Sequence, residues 1–112
     1  MSDPAVFMVE IDEEAAADLR AIALYMAENY SPDVADTFIE RILDRVALLE
    51  TFPLRGSHPK ELEGINERDY RQLVSGHHRI FYRVEGERVI VSLIVDGRRS
   101  LQALLAARLL GR

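Results

Sequence analysis

The sequence contains no cysteine, so disulfide bonds and thiolate metal sites are excluded, and a reducing cytoplasm fits the chain. It also contains no apolar run that approaches the ~20 residues needed to span a membrane. The N-terminal sequence MSDPAVFMVEID carries acidic residues early and lacks the basic start of a secretory signal. We therefore expect a cytoplasmic protein without membrane contact. A length of 112 residues predicts a single domain, residues 1–112, with one core.

The formal net charge of −5 hides an uneven distribution along the chain. Residues 1–50 contain 3 arginines and 12 acidic residues, a net charge of −9, whereas residues 51–112 contain 11 basic and 7 acidic residues, a net charge of +4. This asymmetry suggests that the C-terminal half faces an anionic partner. The other interpretation is that the helices of this chain carry the acidic residues and the strands carry the arginines.

Apolar residues recur at helical spacing in the first half of the chain and predict two helices, over about residues 13–29 and 32–52. Asp12 and Ser31 are favoured N-cap residues, and Pro53 ends the second helix. Because only a turn separates the helices, they are expected to form an antiparallel hairpin with shared apolar stripes. The stripe of the second helix consists of Ala35, Phe38, Ile39, Ile42, Val46 and Leu49.

The second half of the chain changes to a period of two, which is typical of strands. Residues 53–69 form a loop, and Ser75-Gly76 and Glu85-Gly86 are turn signals between strands. The predicted elements are a first strand at 7–11, a three-strand meander at 70–74, 77–84 and 88–95, and a short C-terminal helix between Ser100 and Gly111. The fold class is therefore α+β, with the helix hairpin packed on a mainly antiparallel sheet.

The last two strands present faces of different character. Val89, Val91, Leu93 and Val95 alternate along the chain and are expected to share a clean apolar face under the hairpin. The other face mixes apolar residues with arginines. It is either an ordinary half-exposed face, covered by the aliphatic stems of arginine, or a partner-binding face.

The order of these elements, with SP at the tip of the hairpin and P-x-x-G in the loop, resembles the RelE/ParE superfamily of bacterial toxins. The segments that carry the resemblance extend over about residues 7–105. They are DLRAIALYMAENYSPDVADTFIERI, PLRGS, YRQLVSGHHRIFYRV and VIVSLIVDGRR. The long hairpin and the run G-x-H-x-x-F-Y-R-V are similar to the ParE branch rather than to the RelE branch.

The resemblance implies the toxin of a bacterial toxin–antitoxin system. ParE-like toxins poison DNA gyrase, whereas RelE-like toxins are ribosome-dependent endoribonucleases that cut messenger RNA. Both kinds are neutralised by a small antitoxin whose disordered tail folds onto the toxin. In the ParE branch this antitoxin is often a ribbon-helix-helix, ParD-like dimer that binds operator DNA. The resemblance thus implies a heterotetramer that contacts DNA only through its antitoxin.

Two departures from the relatives that the chain resembles bear on activity. Asp96 stands where many relatives have a histidine, and residues 101–112 contain no tyrosine, histidine or lysine that would handle protons. Because RNA cleavage needs a base, an acid and cations, we expect an inhibitor that acts by binding rather than an enzyme. The alternatives are a RelE-like ribonuclease and a non-toxic module that serves its antitoxin as a co-repressor.

Three arginines on neighbouring predicted strands, Arg71, Arg79 and Arg83, are expected to form a cationic cluster. The resemblance implies two uses for it: such arginines hold the scissile phosphate in RelE-like enzymes, and they meet antitoxin carboxylates or the gyrase–DNA complex in a ParE-like protein. A structural alternative is pairing with Glu85 or Glu87 at the surface, which contributes little to stability. The expected antitoxin-binding residues are Arg71, Arg79, Phe81, Arg83, Ile90 and Ile94.

The three histidines give no pattern of a catalytic or metal site. His77 and His78 are adjacent on a predicted strand, so their side chains are expected to point to opposite faces. His58 lies in the loop, and no two histidines have the helical spacing of a metal pair. The sequence also lacks a glycine-rich phosphate loop and a nucleophile motif. We therefore expect neither a metal nor a cofactor.

Overall fold

A computed structural model describes residues 6–112 of the chain. It has the predicted α+β architecture, in which a helix hairpin packs on a four-stranded sheet and a short helix follows the last strand. Among the described helices, none combines the length and the apolar composition that crossing a bilayer requires. The elements are β1 (Met8–Ile11), α1 (Glu13–Asn29), α2 (Pro32–Ala47), β2 (Arg71–Ser75), β3 (His78–Glu85), β4 (Arg88–Asp96) and α3 (Gln102–Leu109).

Both helices of the hairpin begin at the predicted caps. The Asp12 carboxylate accepts a hydrogen bond from the backbone N–H of Ala15 at 2.8 Å, and the Ser31 hydroxyl accepts one from Val34 at 3.1 Å. Each cap satisfies a backbone donor that a helix start leaves without a partner. The predicted end of α2 near Phe52 is wrong, because the α-helix stops at Ala47 and continues as a 3₁₀ turn. The tighter turn precedes Pro53, which cannot continue an α-helix.

The strands are arranged in the order β1-β4-β3-β2. β2, β3 and β4 form the predicted antiparallel meander, while β1 lies parallel to β4 with Met8 opposite Arg88. The connecting turns contain Gly76 and Gly86 at φ values of 60° and 58°, a left-handed conformation that glycine adopts without a steric cost. Each glycine is the first residue of its two-residue turn. Both turns therefore begin one residue later in the chain than the sequence predicted.

A β-bulge in β4 changes the face on which its residues lie. Phe81 of β3 pairs with Leu93, and the next residue, Tyr82, pairs with Val91, so Ser92 is the extra residue. An inserted residue reverses the alternation that follows it. The prediction of one apolar face for Val89, Val91, Leu93 and Val95 is therefore wrong in its second half, because the last two lie on the opposite side of the sheet from the hairpin.

The predicted single core is in fact two apolar clusters, one on each face of the sheet. The hairpin core contains Ala15, Phe38, Ile42, Val46, Leu49, Leu73, Ile80, Tyr82, Val89, Val91 and Ile94. The α3 core contains Leu62, Tyr70, Phe81, Leu93, Val95, Leu101, Leu105 and Leu109. The predicted Ser100 cap is wrong, since α3 begins after Leu101 without a side-chain cap. Gly111 follows its end at a φ of 69°, as the prediction of a glycine stop requires.

Candidate functional site

Arg71 holds the loop of the P-x-x-G motif in place. Its guanidinium donates hydrogen bonds to the carbonyl oxygens of Leu54 at 3.2 Å and Gly56 at 3.1 Å, and it lies 3.4 Å from the Asp69 carboxylate. Carbonyl groups of a loop that leaves the sheet need such donors when they are partly buried. Arg71 is thus engaged by its own chain, and its main contacts are backbone atoms of residues 54–56.

Tyr82 holds the same loop in place through its hydroxyl group. Its side chain is fully buried, and its hydroxyl donates to the carbonyl of Pro53 at 2.8 Å and accepts from the N–H of Gly56 at 2.9 Å. Burial raises the pKa of this phenol, because the phenolate would be poorly solvated there. The proline and the glycine of the motif are therefore the two residues that bind the tyrosine hydroxyl. Sequence reasoning found the motif but not its partner, which lies on a distant strand.

Arg79 is paired with a carboxylate inside the chain. Its two terminal nitrogens lie 2.5 and 2.9 Å from the oxygens of Glu61, its Nε donates to Gln72 at 2.6 Å, and its guanidinium stacks over the Phe81 ring at 4.8 Å. The bidentate bond from Arg79 holds the pKa of Glu61 below its usual value. Both side chains are mostly buried, with 15% and 12% exposed. A Cβ on Gly97 would lie 2.5 Å from the stem of Arg79.

Arg83 is engaged more loosely. Its Nε donates to Glu85 at 2.7 Å, and one terminal nitrogen donates to the hydroxyl of Ser92 at 3.1 Å. The guanidinium also lies 5.9 Å from the centre of the Tyr70 ring. Glu85 is 43% exposed, so water already competes for its carboxylate, and an outside carboxylate can replace it at a lower cost than it can replace Glu61 on Arg79.

The three arginines do not form the predicted cluster, because they lie on different faces of the sheet. Arg71 is directly opposite Tyr82, whose side chain belongs to the hairpin core, whereas Arg79 is opposite Val95 of the α3 core. Cross-strand partners project on the same face. Arg83, opposite Ile90, lies on the same face as Arg79. The structure thus brings two of the three arginines to one face and places the third on the other.

The apolar members of the predicted antitoxin set are buried within the chain. Phe81 is fully buried in the α3 core, and Ile94 is 2% exposed in the hairpin core, on the opposite face because of the bulge. Ile90 is 5% exposed and faces the same side as Arg83. An antitoxin in contact with these three side chains would therefore have to rearrange the chain, whereas Arg79 and Arg83 keep some exposed surface.

The histidines occupy two separate regions of the chain, the loop before β2 and the start of β3. His58 pairs with Asp69 at the surface of the loop. The His78 ring packs on Phe38 at 4.7 Å between ring centres, and burial lowers its pKa. His77 lies in the turn before β3, so the prediction that both histidines lie on a strand is wrong. Both line grooves beside Met26 at this end of the sheet. Within residues 6–112, no three His, Asp or Glu side chains are arranged to hold a metal ion.

Comparison with known families gives a match over most of the chain. The model of the family described as "ParE toxin of type II toxin-antitoxin system, parDE" matches residues 9–101. The chain belongs to the ParE toxin family. The resemblance inferred from the hairpin, the P-x-x-G loop and the strand HRIFYRV is thereby confirmed, including its assignment to the ParE branch.

Solved structures share the fold of this ParE-family toxin at low sequence identity. A chain of the chromosomal ParDE toxin–antitoxin system from P. aeruginosa superposes with a TM-score of 0.69 and 20% identity, covering 82% of this chain and 97% of its own length. A chain of the RelBE2 toxin–antitoxin complex from Mycobacterium tuberculosis superposes with a TM-score of 0.51 and 20% identity, covering 81% and 98%. No curated protein sequence matches the chain at a significant level.

One charged network of the ParE-family toxin was missed from sequence. Asp18, which the helical pattern places on the solvent side of α1, accepts hydrogen bonds from Arg108 of α3 at 3.1 and 2.9 Å and from the N–H of Ile94 at 3.1 Å. Arg108 also donates to the carbonyl of Ser92 at 3.0 Å. β1 pairs with β4 only as far as Val91, so the carbonyl of Ser92 and the N–H of Ile94 lie beyond the end of β1, where the ion pair binds them.

Proposed function

We propose that this ParE-family toxin stops growth in the cytoplasm by binding and poisoning DNA gyrase, without a catalytic site of its own. The observation that carries the proposal is the arrangement of the arginines. Each is already bonded to a carboxylate of the chain, Asp69, Glu61 or Glu85, and they lie on two faces of the sheet. Stabilising the charge of a cleaved phosphate requires cations that converge on one point, so this arrangement favours inhibition by contact.

The test is to express the toxin without its antitoxin and to measure gyrase and translation together. Purified gyrase is expected to lose supercoiling activity on addition of the chain, and cells are expected to filament with an induced DNA-damage response. Cell-free translation is expected to continue with intact messenger RNA. Translation arrest with cleaved messages and unaffected gyrase would instead establish the ribonuclease. Loss of neither activity would leave the non-toxic co-repressor module as the remaining alternative.

We further propose that a ParD-like, ribbon-helix-helix antitoxin neutralises the toxin in a heterotetramer, with acidic residues of its tail bound at Arg79 and Arg83. Both arginines share the face that carries α3, and Arg83 has the more replaceable partner. Arg71, Phe81, Ile90 and Ile94 complete the set predicted from sequence. These four residues are buried or hold the loop, so they support this site from within the chain. They would contact the antitoxin only if the chain rearranged.

Replacing Arg83 by alanine is expected to lower antitoxin affinity about tenfold and to weaken its dependence on salt, because a charge-assisted pair is lost. Calorimetric titration of the purified antitoxin measures both quantities, and a large negative heat capacity of binding is expected from folding of the tail. Arg98→Ala is the matched control, since Arg98 is also paired with a carboxylate of the chain, that of Asp96, but follows the end of β4 and is 65% exposed. Equal effects of the two substitutions would exclude Arg83 as a specific contact.

A further inference from the structure

Among the strands described over residues 6–112, β1 forms one edge of the sheet and has a single neighbour, β4. The N–H of Met8 donates to the carbonyl of Glu87 at 2.9 Å, and the N–H of Asp12 donates to the carbonyl of Val91 at 3.0 Å. The backbone groups at these even positions therefore point toward β4. In a parallel pair, alternate residues of an edge strand direct both N–H and C=O away from the sheet.

Val9 and Ile11 are the residues whose backbone groups point outward. Phe7, on the same outer side, donates its N–H to the carbonyl of Glu50 at 2.9 Å. The 3₁₀ turn that contains Glu50 therefore closes the N-terminal end of this edge, which we call its lower end. Within the described part of the chain, Val9 and Ile11 have no backbone partner on that outer side, and both are partly exposed. Two successive outward-pointing residues of an edge strand offer N–H and C=O groups with which an extended peptide can pair.

Exposed apolar side chains surround the lower end of the same edge. Phe7, Phe52, Leu54 and Val84 line an open and almost wholly apolar pocket of about 570 Å³. We call these four side chains the lower patch. Two of them, Phe52 and Leu54, are exposed, with 58 and 60% of their surface accessible. Apolar patches of this kind mark binding sites.

A second copy of the chain is a poor occupant of this edge. An antiparallel pairing of two β1 strands that uses both Val9 and Ile11 has its twofold axis at Glu10, so the two Glu10 side chains would lie directly opposite each other. Like charges in that position are destabilising. The paired Arg88 reduces this repulsion only in part, because Glu10 is 48% exposed to solvent. Charge therefore favours a different chain, with a basic or uncharged residue opposite Glu10.

We propose that an extended segment of the antitoxin adds to β1 as a fifth strand and continues over the lower patch. It bonds to the outward N–H and C=O groups of Val9 and Ile11, and its apolar side chains cover Phe52 and Leu54. The inference rests on the proposed antitoxin partner and adds a docking site distinct from Arg79 and Arg83. It also defines the chemistry of the docking segment: apolar residues opposite Val9 and Ile11, and no acidic residue between them.

The test compares Val9→Pro with Val74→Pro. Proline removes an N–H and is tolerated where that N–H points away from the sheet. Val74 is the matched control on β2, the opposite edge of the sheet. The backbone N–H and C=O of Gln72 bond outward to Ser57, so the backbone groups of Val74, two residues later, also point outward. Val74 is 54% exposed. The probe is the purified product of the reading frame next to the toxin gene. Hydrogen exchange of the Val9 and Ile11 amides is measured on the wild-type chain with and without this probe.

We expect Val9→Pro to weaken binding about tenfold to a hundredfold, since one or two backbone hydrogen bonds and their geometry are lost, and Val74→Pro to change it less than threefold. In wild type, the Val9 and Ile11 amides are expected to exchange at least tenfold more slowly in the complex. Unchanged exchange, or equal effects of the two prolines, would overturn the inference even if the antitoxin binds. A probe that does not bind wild type would refute the antitoxin assignment itself. Concentration-dependent self-association of the free chain that Val9→Pro abolishes would assign the edge to a second copy instead.

Discussion

Replacing Gly56 by alanine is expected to lower the free energy of unfolding by about 3–5 kcal/mol, the sum of overpacking and of lost buried hydrogen bonds. The added Cβ would lie 2.6 Å from the hydroxyl of Tyr82 and 2.7 Å from the carbonyl oxygen of Gln72. The tyrosine is fully buried and the carbonyl belongs to a strand, so neither atom can move aside cheaply. Denaturant melts of wild type and variant measure the loss.

The double variant identifies the cause of that loss. Tyr82→Phe alone removes the hydroxyl and is expected to cost about 1–2 kcal/mol, because the N–H of Gly56 and the carbonyl of Pro53 lose their partner. With Tyr82→Phe in place, Gly56→Ala no longer meets the hydroxyl oxygen. The two costs are therefore expected to be less than additive by at least about 1 kcal/mol. Strict additivity would show that the glycine is required for another reason.

Replacing Asp18 by alanine is expected to cost about 3 kcal/mol, at the lower end for breaking a buried ion pair because about a fifth of each side chain is exposed. The substitution leaves the partly buried Arg108 charge with only the largely exposed carboxylate of Glu14 beside it, and the N–H of Ile94 without its acceptor. It also removes a link between α1 and α3, so amides of residues 101–109 are expected to exchange faster with solvent. Hydrogen exchange and denaturant melts measure the two effects.

Two controls separate this ion pair from ordinary surface charges. Glu10→Ala removes a partner of Arg88 that is half exposed, and is expected to cost less than about 0.5 kcal/mol. The double variant of Asp18 and Arg108 is expected to be more stable than the sum of the single losses predicts, since no unpaired charge is left behind. An Asp18→Ala variant as stable as Glu10→Ala would contradict the burial of the network.

Local signals in the sequence predicted the elements well because their causes are local. A cap needs only the residue before the helix and the first turn, as at Asp12 and Ser31, and a tight turn needs only its glycine. Periodicity likewise distinguished the hairpin from the meander. Each of these features is set by neighbours within a few positions along the chain.

The faces of β4 could not be predicted in the same way. In the run VIVSLIV, residues 89–95, apolar residues occupy both sets of alternating positions, so the pattern fits either side. The bulge at Ser92 then exchanges the faces of every residue that follows, which moved Ile94 into the hairpin core and Leu93 into the α3 core. A one-residue shift of this kind leaves no trace in hydropathy.

The partners of the arginines were equally out of reach of the sequence. Glu61 is 18 residues from Arg79, and Asp18 is 90 residues from Arg108, so no spacing rule connects them. The predicted cationic cluster assumed that arginines on neighbouring strands share a face. The register placed Arg71 on the hairpin face, and internal carboxylates took up the charge of the other two.

The parallel pairing of β1 with β4 imposes an order on folding of the toxin during its synthesis. Met8 leaves the ribosome about eighty residues before its partner on β4, Arg88. The hairpin can form early from local contacts, but the sheet cannot gain its fourth strand until most of the chain has emerged. During that interval both edges of β1 are unpaired. A cotranslational chaperone, or an antitoxin that is already present, then has its best access to this strand.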